Sequence, residues 1–376
     1  MSFAPPPPRF ARSPSPANAV EEKVRPGLEG VVVTETVLSH SDSERGMLWI
    51  RGRPIPEIVE RYGYEGTVAL LWDGFAGRDL TRDGITKTLG AARQQAFKRI
   101  DTWLPAAAGR PLDDAIRIGL ALLPDDSPPA AIASALAVAV PAALRAARRE
   151  KPLPPDPSLP VAADVLRMLH GALPHDAKAK ALDTYFAVMA ESGLGPATFT
   201  ARTVASTRAS LASAVLAAWC SFVGPLHGGA PGPTLDVLDA AAAAHDLDTW
   251  IEQKLRSGER IAGFGHRVFR GNDPRAVAMR AALQQMGAGA GRLEFAAYLG
   301  GRLAAVLARI KPGRHLPANI EVMAAVLLDA VGIPRQAFTA TFAIARSAGW
   351  IAHALEQQQT GRMIRPASHY VGPKTE

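Results

Sequence analysis

Apolar residues recur at helical spacing along almost the whole chain beyond residue 27, which leaves little room for any architecture but a helical one. The spacing predicts helices over 56–72, 81–104, 112–123, 131–149, 161–173, 177–192 and 202–222. In the second half it predicts them over 234–244, 247–257, 275–286, 293–310, 321–330 and 338–358. One segment departs from it, GLEGVVVTETVLSHSDSERGMLWIRG, where Val31 to Val33 and Met47 to Ile50 are short β-type runs about a polar turn, expected to form a small hairpin. The stretch RREKPLPPDPSLP, 148–160, is too rich in proline to be anything but a surface connection.

With 376 residues, 48% of them hydrophobic, the chain has ample material for a large core. Its one cysteine, Cys220, excludes an internal disulfide and a cysteine-based metal site, and fits a reducing, cytoplasmic compartment. Residues 1–26, with Pro5 to Pro8, lack the apolar core of a secretory signal and are expected to be a disordered, proline-rich tail. The longest charge-free apolar stretch, 127–144, is mostly alanine and is interrupted by Pro128, Pro129 and Pro141, so it is expected as a buried helix, not a membrane span.

The net charge of +7 comes from 42 basic against 35 acidic residues, and nine of the basic residues are lysine, so arginine dominates. Guanidinium is the better fork for carboxylates and phosphates. A nucleic-acid partner has only this charge in its favour: the arginines are scattered among apolar helices, with no basic stripe interleaved with aromatics.

Three glycine-bearing segments carry the polar chemistry. GPLHGGA, 224–230, presents His227 on a turn that lets backbone approach a ligand. RIAGFGHRVFRGNDPR, 260–275, gathers His266, Arg267, Arg270 and Arg275 around a GxG turn; Val268 stands where a dinucleotide fingerprint needs its third glycine, so that reading fails. FAIARSAGW, 342–350, and GRMIRPASHYVGP, 361–373, bring Arg346, Arg362 and Arg365. No HExxH, GxSxG or Walker loop is present, and no metal site is expected. Two histidines in glycine loops plus several arginines suit acid–base work on a multiply carboxylated or phosphorylated substrate.

The motifs GPLHGGA, GFGHRVFRGNDPR, GIPRQAFTATFAIARSAGW and RMIRPASHYVG, in this order, resemble the citrate synthase family, including its 2-methylcitrate synthases, over about residues 27–373. The resemblance implies an all-α subunit of two domains: a large one from 27–223 and 331–376, and a small mobile one from 224–330. It further implies a homodimer or a multiple of dimers. The implied reaction is an acyl transfer of the tricarboxylic acid cycle, condensing acetyl-CoA with oxaloacetate to citrate and free CoA, with CoA a co-substrate and no cofactor bound permanently. By the same resemblance His227 donates to the thioester oxygen, Glu321 is the base, and His266 polarises the ketone. Arg275, Arg346 and Arg365 bind carboxylates, Arg365 across the dimer interface. Arg270 meets the phosphates of CoA, and the loop with Gly263 and Gly265 lies against its adenine.

Two places depart from the family pattern. Glu321 stands where an aspartate is usual, and its extra methylene moves the carboxylate by about 1 Å, a displacement that costs about 10²-fold when the backbone does not compensate. In AESGLGPATFTAR, Ser192 and Gly193 replace a usual histidine and glutamate, and Gly195 replaces an asparagine. A serine is shorter and uncharged, so direct contact with the oxo acid is lost or taken over by water. Three readings stay open: a citrate synthase with compensating shifts, a condensing enzyme for another 2-oxo acid or acyl-CoA, and a CoA-binding paralogue without catalysis.

Overall fold

The computed structural model describes residues 26–28, 30–42, 44–228, 231–265, 273–314 and 316–373. It divides into a main unit, residues 36–364, and a small one made of residues 1–35 and 365–376. In the described part of the small unit, Pro26–Leu28 makes one 3-10 turn with Gly27 at φ 72°, and residues 31–35 and 365–371 run without helix or strand. The strand expected at Val31 to Val33 does not form, and Val32 is 88% exposed.

The hairpin is built instead from β1 (Ser39–Asp42) and β2 (Met47–Ile50), antiparallel with Ser39 opposite Ile50 and Asp42 opposite Met47. β3 (Arg53–Pro54) pairs with the far edge of β2. The side chain of Asp42 closes the turn, its Oδ1 accepting the N–H groups of Glu44 and Arg45 at 3.1 and 3.0 Å. Pairing therefore begins beside that aspartate, and a valine run farther upstream has no such closure. Leu48 and Ile50 point into the core.

The rest of the main unit is helical. α1 (Ile55–Glu57) passes through a π-helical turn (Ile58–Tyr62) into α2 (Gly63–Trp72). The helix expected over 81–104 breaks at Arg99 into α3 (Arg82–Lys98), capped by Thr81 accepting from Gly84 N–H, and the short α4 (Ile100–Trp103). α5 (Leu112–Ala121), α6 (Pro129–Ala147), α7 (Val161–His170) and α8 (Asp176–Met189) follow. α6 is long and apolar enough to span a membrane, yet two-thirds of it is buried in the protein's own core.

The single helix expected over 202–222 is two, α9 (Pro196–Ser206) and α10 (Leu211–Phe222). Pro196 starts α9 at a position that needs no N–H, Arg208 takes φ 68° between the helices, and Ser210 caps α10 by accepting from Ser213 N–H. Apolar spacing continues across the break, which is why periodicity alone fuses the two. Then come α11 (Pro231–Ala242), α12 (Leu247–Arg256), α13 (Pro274–Met286), α14 (Ala290–Ile310), α15 (Ile320–Val331) and α16 (Phe338–Thr360). α16 is the central element, packing against α2, α5, α6, α8, α9 and α10, and α11 packs against α14 and α15.

The proline-rich connection is held down from beneath. Arg93 on α3 donates to Asp164 Oδ2 at 2.8 Å and to the carbonyl of Leu159 at 2.6 Å, and Asp164 also accepts the Asp156 N–H and the Arg167 guanidinium. Gly90 leaves room for the Pro157 carbonyl to sit directly on α3. Both members of the Arg93 and Asp164 pair are fully buried. Arg93→Ala takes the donor from Asp164 Oδ2 while Arg167 and the Asp156 N–H still hold Oδ1, and urea unfolding should show a loss of about 1–3 kcal/mol.

Candidate active site

The turn after α10 folds back on its own helix, with Gly228 N–H donating to the Phe222 carbonyl and His227 N–H to the Gly224 carbonyl, both at 2.9 Å. A Cβ at Gly228 would sit 2.6 Å from the Phe222 ring, so only glycine allows this return. The His227 imidazole stands edge-on to Phe222, with centroids 5.1 Å apart, and Phe222 is in turn packed by Phe342 and Trp350.

Ala197, in the first turn of α9, donates its backbone N–H to His227 Nε2 at 3.2 Å. An amide can only donate, so Nε2 holds a lone pair and the ring proton is on Nδ1. Burial, with the nearby Arg346 charge adding to it, brings the imidazole pKa down to about 4. His227 is thus a neutral donor through Nδ1–H.

Arg346 rises from α16 beneath this histidine. Its Nε donates to the Met189 carbonyl at 2.7 Å and its guanidinium lies over Phe342 at 4.9 Å. The side chain is buried, and among the described residues no carboxylate forms an ion pair with it. Burial lowers its pKa to about 10; the charge of Glu191 works against this and that of Arg275 with it. Arg275, in the first turn of α13, is buried and held bidentately by Asp273, with Nε to Oδ1 at 3.0 Å and Nη2 to Oδ2 at 2.6 Å. The Arg346 charge therefore acts on the imidazole and is itself acted on by Arg275.

Ser192, half-buried, follows α8. Its neighbour Glu191 is the residue that motif reading missed. Burial alone would raise this carboxyl, but His353, Arg346 and the Gly193 amide outweigh it and bring the pKa to about 2. Oε1 accepts from Ser39 Oγ at 2.9 Å and from Gly193 N–H at 2.5 Å, and lies 3.2 Å from His353 Nε2. Arg202 donates to His353 Nδ1 at 2.9 Å, to Gln357 Oε1 at 3.0 Å and to Glu356, which also accepts the Val37 N–H at 2.9 Å. The sequence signal was there, polar residues of α9 and α16 at helical spacing within otherwise apolar faces, but spacing does not tell which distant charges meet.

Glu321 opens α15. Asn319 caps that helix, accepting the Glu321 N–H at 2.8 Å. Gly263 and Gly265 take φ 84° and 95°, and the turn they form pairs with residues 317–319: Gly265 N–H donates to the Pro317 carbonyl at 2.7 Å, Asn319 N–H to the Gly263 carbonyl at 2.9 Å. Burial raises the Glu321 carboxyl, opposed by hydrogen bonds from the Gly263 amide and Asn319 and by the Arg260 charge.

A Cβ on Gly263 would stand 2.6 Å from Thr234 in the first turn of α11 and 2.9 Å from Val322 in that of α15, so the starts of both helices meet at this glycine. Gly263→Ala is accordingly expected to lower the melting temperature and to cut turnover more than tenfold in the protein that remains folded, read by thermal unfolding and steady-state rates.

Arg346 is thus within electrostatic reach of both His227 and Arg275, and Glu321 begins a helix packed on the one that follows the His227 turn. His266 and Arg270 lie outside the described residues, and Arg365 belongs to the small unit.

The family described as "Citrate synthase, C-terminal domain" matches residues 27–367. "Putative citrate synthase 2" of Mycobacterium bovis is 35% identical over 94% of each chain. "Citrate/2-methylcitrate synthase" of Bacillus subtilis is 31% identical over 94% of this chain and 99% of its own. The crystal structure of citrate synthase from Thermotoga maritima superposes with a TM-score of 0.81 at 27% identity, covering 94% of this chain and 97% of that one. The mostly helical fold with its small N-terminal sheet is shared with that structure, and the chain belongs to the citrate synthase family.

Proposed function

We propose that the chain condenses acetyl-CoA with oxaloacetate, giving citrate and free CoA. The observation that carries this reading is Arg346: a buried guanidinium without an ion-pair partner among the described residues, beside a neutral histidine, is a costly arrangement that a substrate carboxylate would relieve. Arg275 adds a second cation, suiting a dicarboxylic oxo acid.

Glu321 takes a proton from the thioester methyl while His227 Nδ1–H donates to the carbonyl oxygen, where negative charge develops. The resulting enol carbon attacks the ketone of oxaloacetate, a carbon–carbon bond forms, and the ketone oxygen takes up a proton, with His266 as the assigned donor. Water then cleaves the thioester, releasing CoA. Arg365 joins the site from a second subunit, Arg270 and the Gly263 to Gly265 loop receive CoA, and residues 224–330 close over the cleft.

A second reading, condensation with a different 2-oxo acid or a longer acyl-CoA, is favoured by the small residues beside His227. A Cβ on Gly195 would meet only His227 Cε1, at 3.6 Å, and one on Gly193 would meet nothing within 4 Å. The names of relatives from Bacillus subtilis and Mycobacterium tuberculosis, which include 2-methylcitrate synthase, agree with it.

Release of free thiol across a panel of acyl-CoAs and 2-oxo acids decides between them. The first reading expects the highest kcat/KM with acetyl-CoA and oxaloacetate. A higher value with propionyl-CoA or another oxo acid establishes the second, and release from no pair, with CoA still raising the melting temperature, overturns both in favour of a binding protein.

A further inference from the structure

Asn319 makes three hydrogen bonds, and each ties the start of α15 to the glycine turn. Its backbone N–H donates to the Gly263 carbonyl at 2.9 Å, its Nδ2 to the Gly265 carbonyl at 2.8 Å, and its Oδ1 accepts the Glu321 N–H at 2.8 Å. The turn is paired again beside it, through the bridge between Phe264 and Ala318 and the bond from Gly265 N–H to the Pro317 carbonyl at 2.7 Å. An N-cap needs only the acceptor. The carboxamide NH₂, spent on a carbonyl 54 residues away in sequence, does something a cap does not require.

Asn319 stands two residues ahead of Glu321 and accepts its N–H, so the bonds that hold the turn also hold the first turn of the helix that carries the carboxylate. Gly263 is itself wedged between Thr234 and Val322, and the turn can shift only as one piece.

We infer that Asn319 is a positioning residue for the base: its carboxamide locks the Gly263 to Gly265 turn to the start of α15, and so fixes the helical turn from which Glu321 reaches the proton it removes. The inference rests on the reading of Glu321 as the base. Among the described residues, Arg260 is the charged side chain that acts on Glu321.

The test uses the full-length protein with Asn319→Ser, Asn319→Asp and Glu321→Gln, with thiol release followed over pH. Asn319→Ser keeps a capping acceptor and loses the NH₂ bond. It should lower kcat by 10- to 100-fold, the scale of a misplaced reacting group, with KM for both substrates within about twofold and the melting temperature close to that of the parent. Asn319→Asp is isosteric and keeps the cap, but sets an anion beside the base, so it should lower kcat and move the acidic limb of the kcat profile to higher pH. Wild-type kcat and an unmoved limb in Asn319→Asp, or wild-type kcat in a folded Asn319→Ser, would show that Asn319 is a helix cap and nothing more. A loss confined to KM would overturn the inference equally. Turnover retained in Glu321→Gln fails the base assignment itself, whereas an inactive Glu321→Gln beside a fully active Asn319→Ser fails only the positioning role.

Discussion

Glu321→Gln should leave a folded protein that still binds CoA and releases thiol at least 10³-fold more slowly than the parent, within the range that a positioned base contributes. The amide matches the carboxylate in size, and the bonds that hold the turn and the helix start run through Asn319 and the backbone, so both are retained. What disappears is the lone pair that takes the methyl proton. The same substitution has a signature in stability. Burial raises the folded-state pKa of Glu321 above its usual 4.5, so the protonated form is favoured by folding and that advantage fades as pH rises through the raised pKa.

At neutral pH the protein therefore buries a carboxylate at some cost, and Glu321→Gln should melt no lower than the parent there, with the comparison turning toward the parent in acid. On the proposed reading of Glu321 as the base, turnover needs the carboxylate and the acidic limb of kcat/KM is expected to be its own. His227, neutral down to about pH 4, contributes no limb above it. Melting scans and rate profiles from pH 4 to 8 check both signs.

Arg346→Met should separate function from stability in the opposite way to a core mutation. A substrate carboxylate that loses its buried guanidinium forfeits about 2–5 kcal/mol, which is roughly 30- to 4,000-fold in kcat/KM for the oxo acid. Stability should change little, because the Arg346 charge also favours the ionised form of the buried Glu191 carboxyl, which keeps His353 and the Gly193 amide. The substitution gives up the bond from Nε to the Met189 carbonyl, but it also removes a buried cation without an ion-pair partner among the described residues. Oxaloacetate should raise the melting temperature of the parent and not that of the variant. Arg346→Lys is not expected to rescue, because a flexible ammonium cannot stack on Phe342 and bond Met189 while presenting a fork. An oxo acid that still protects Arg346→Met would remove this residue from the binding site.

The helical architecture was readable because its cause, apolar spacing, is local. It failed where a local signal has no period: the break at 207–210 depends on Arg208 entering a left-handed conformation and on Ser210 capping, while the apolar pattern runs on. The hairpin was placed on the wrong partner since valine content is a weaker determinant than the side-chain closure at Asp42. The motifs that carry His227, Arg275 and Arg346 are legible in the sequence, and the charge of Arg275 acts on that of Arg346. Glu191 was not, because a lone glutamate after an apolar helix carries no motif. Its importance comes from His353, 162 positions further on, and from Arg202 behind it. Nor could the sequence show that Asn319 ties the Gly263 to Gly265 turn to the start of α15, since that requires the turn's register against 317–319.

The buried chain from Ser39 through Glu191, His353 and Arg202 to Glu356 also bears on how this protein tolerates change. Its members come from β1, the end of α8, α9 and α16, and each single replacement takes one bond from a buried group within the chain. A saturation library read one position at a time would score all of them as invariant and give no hint that they are a set. Pairwise libraries would differ: removing Arg202 together with Glu356 deletes a donor and its acceptor at once, and a double-mutant cycle should return a large coupling energy where the single variants give only loss. Substitutions that redesign the oxo-acid pocket around Ser192 therefore start from a floor whose pieces have to be exchanged in groups.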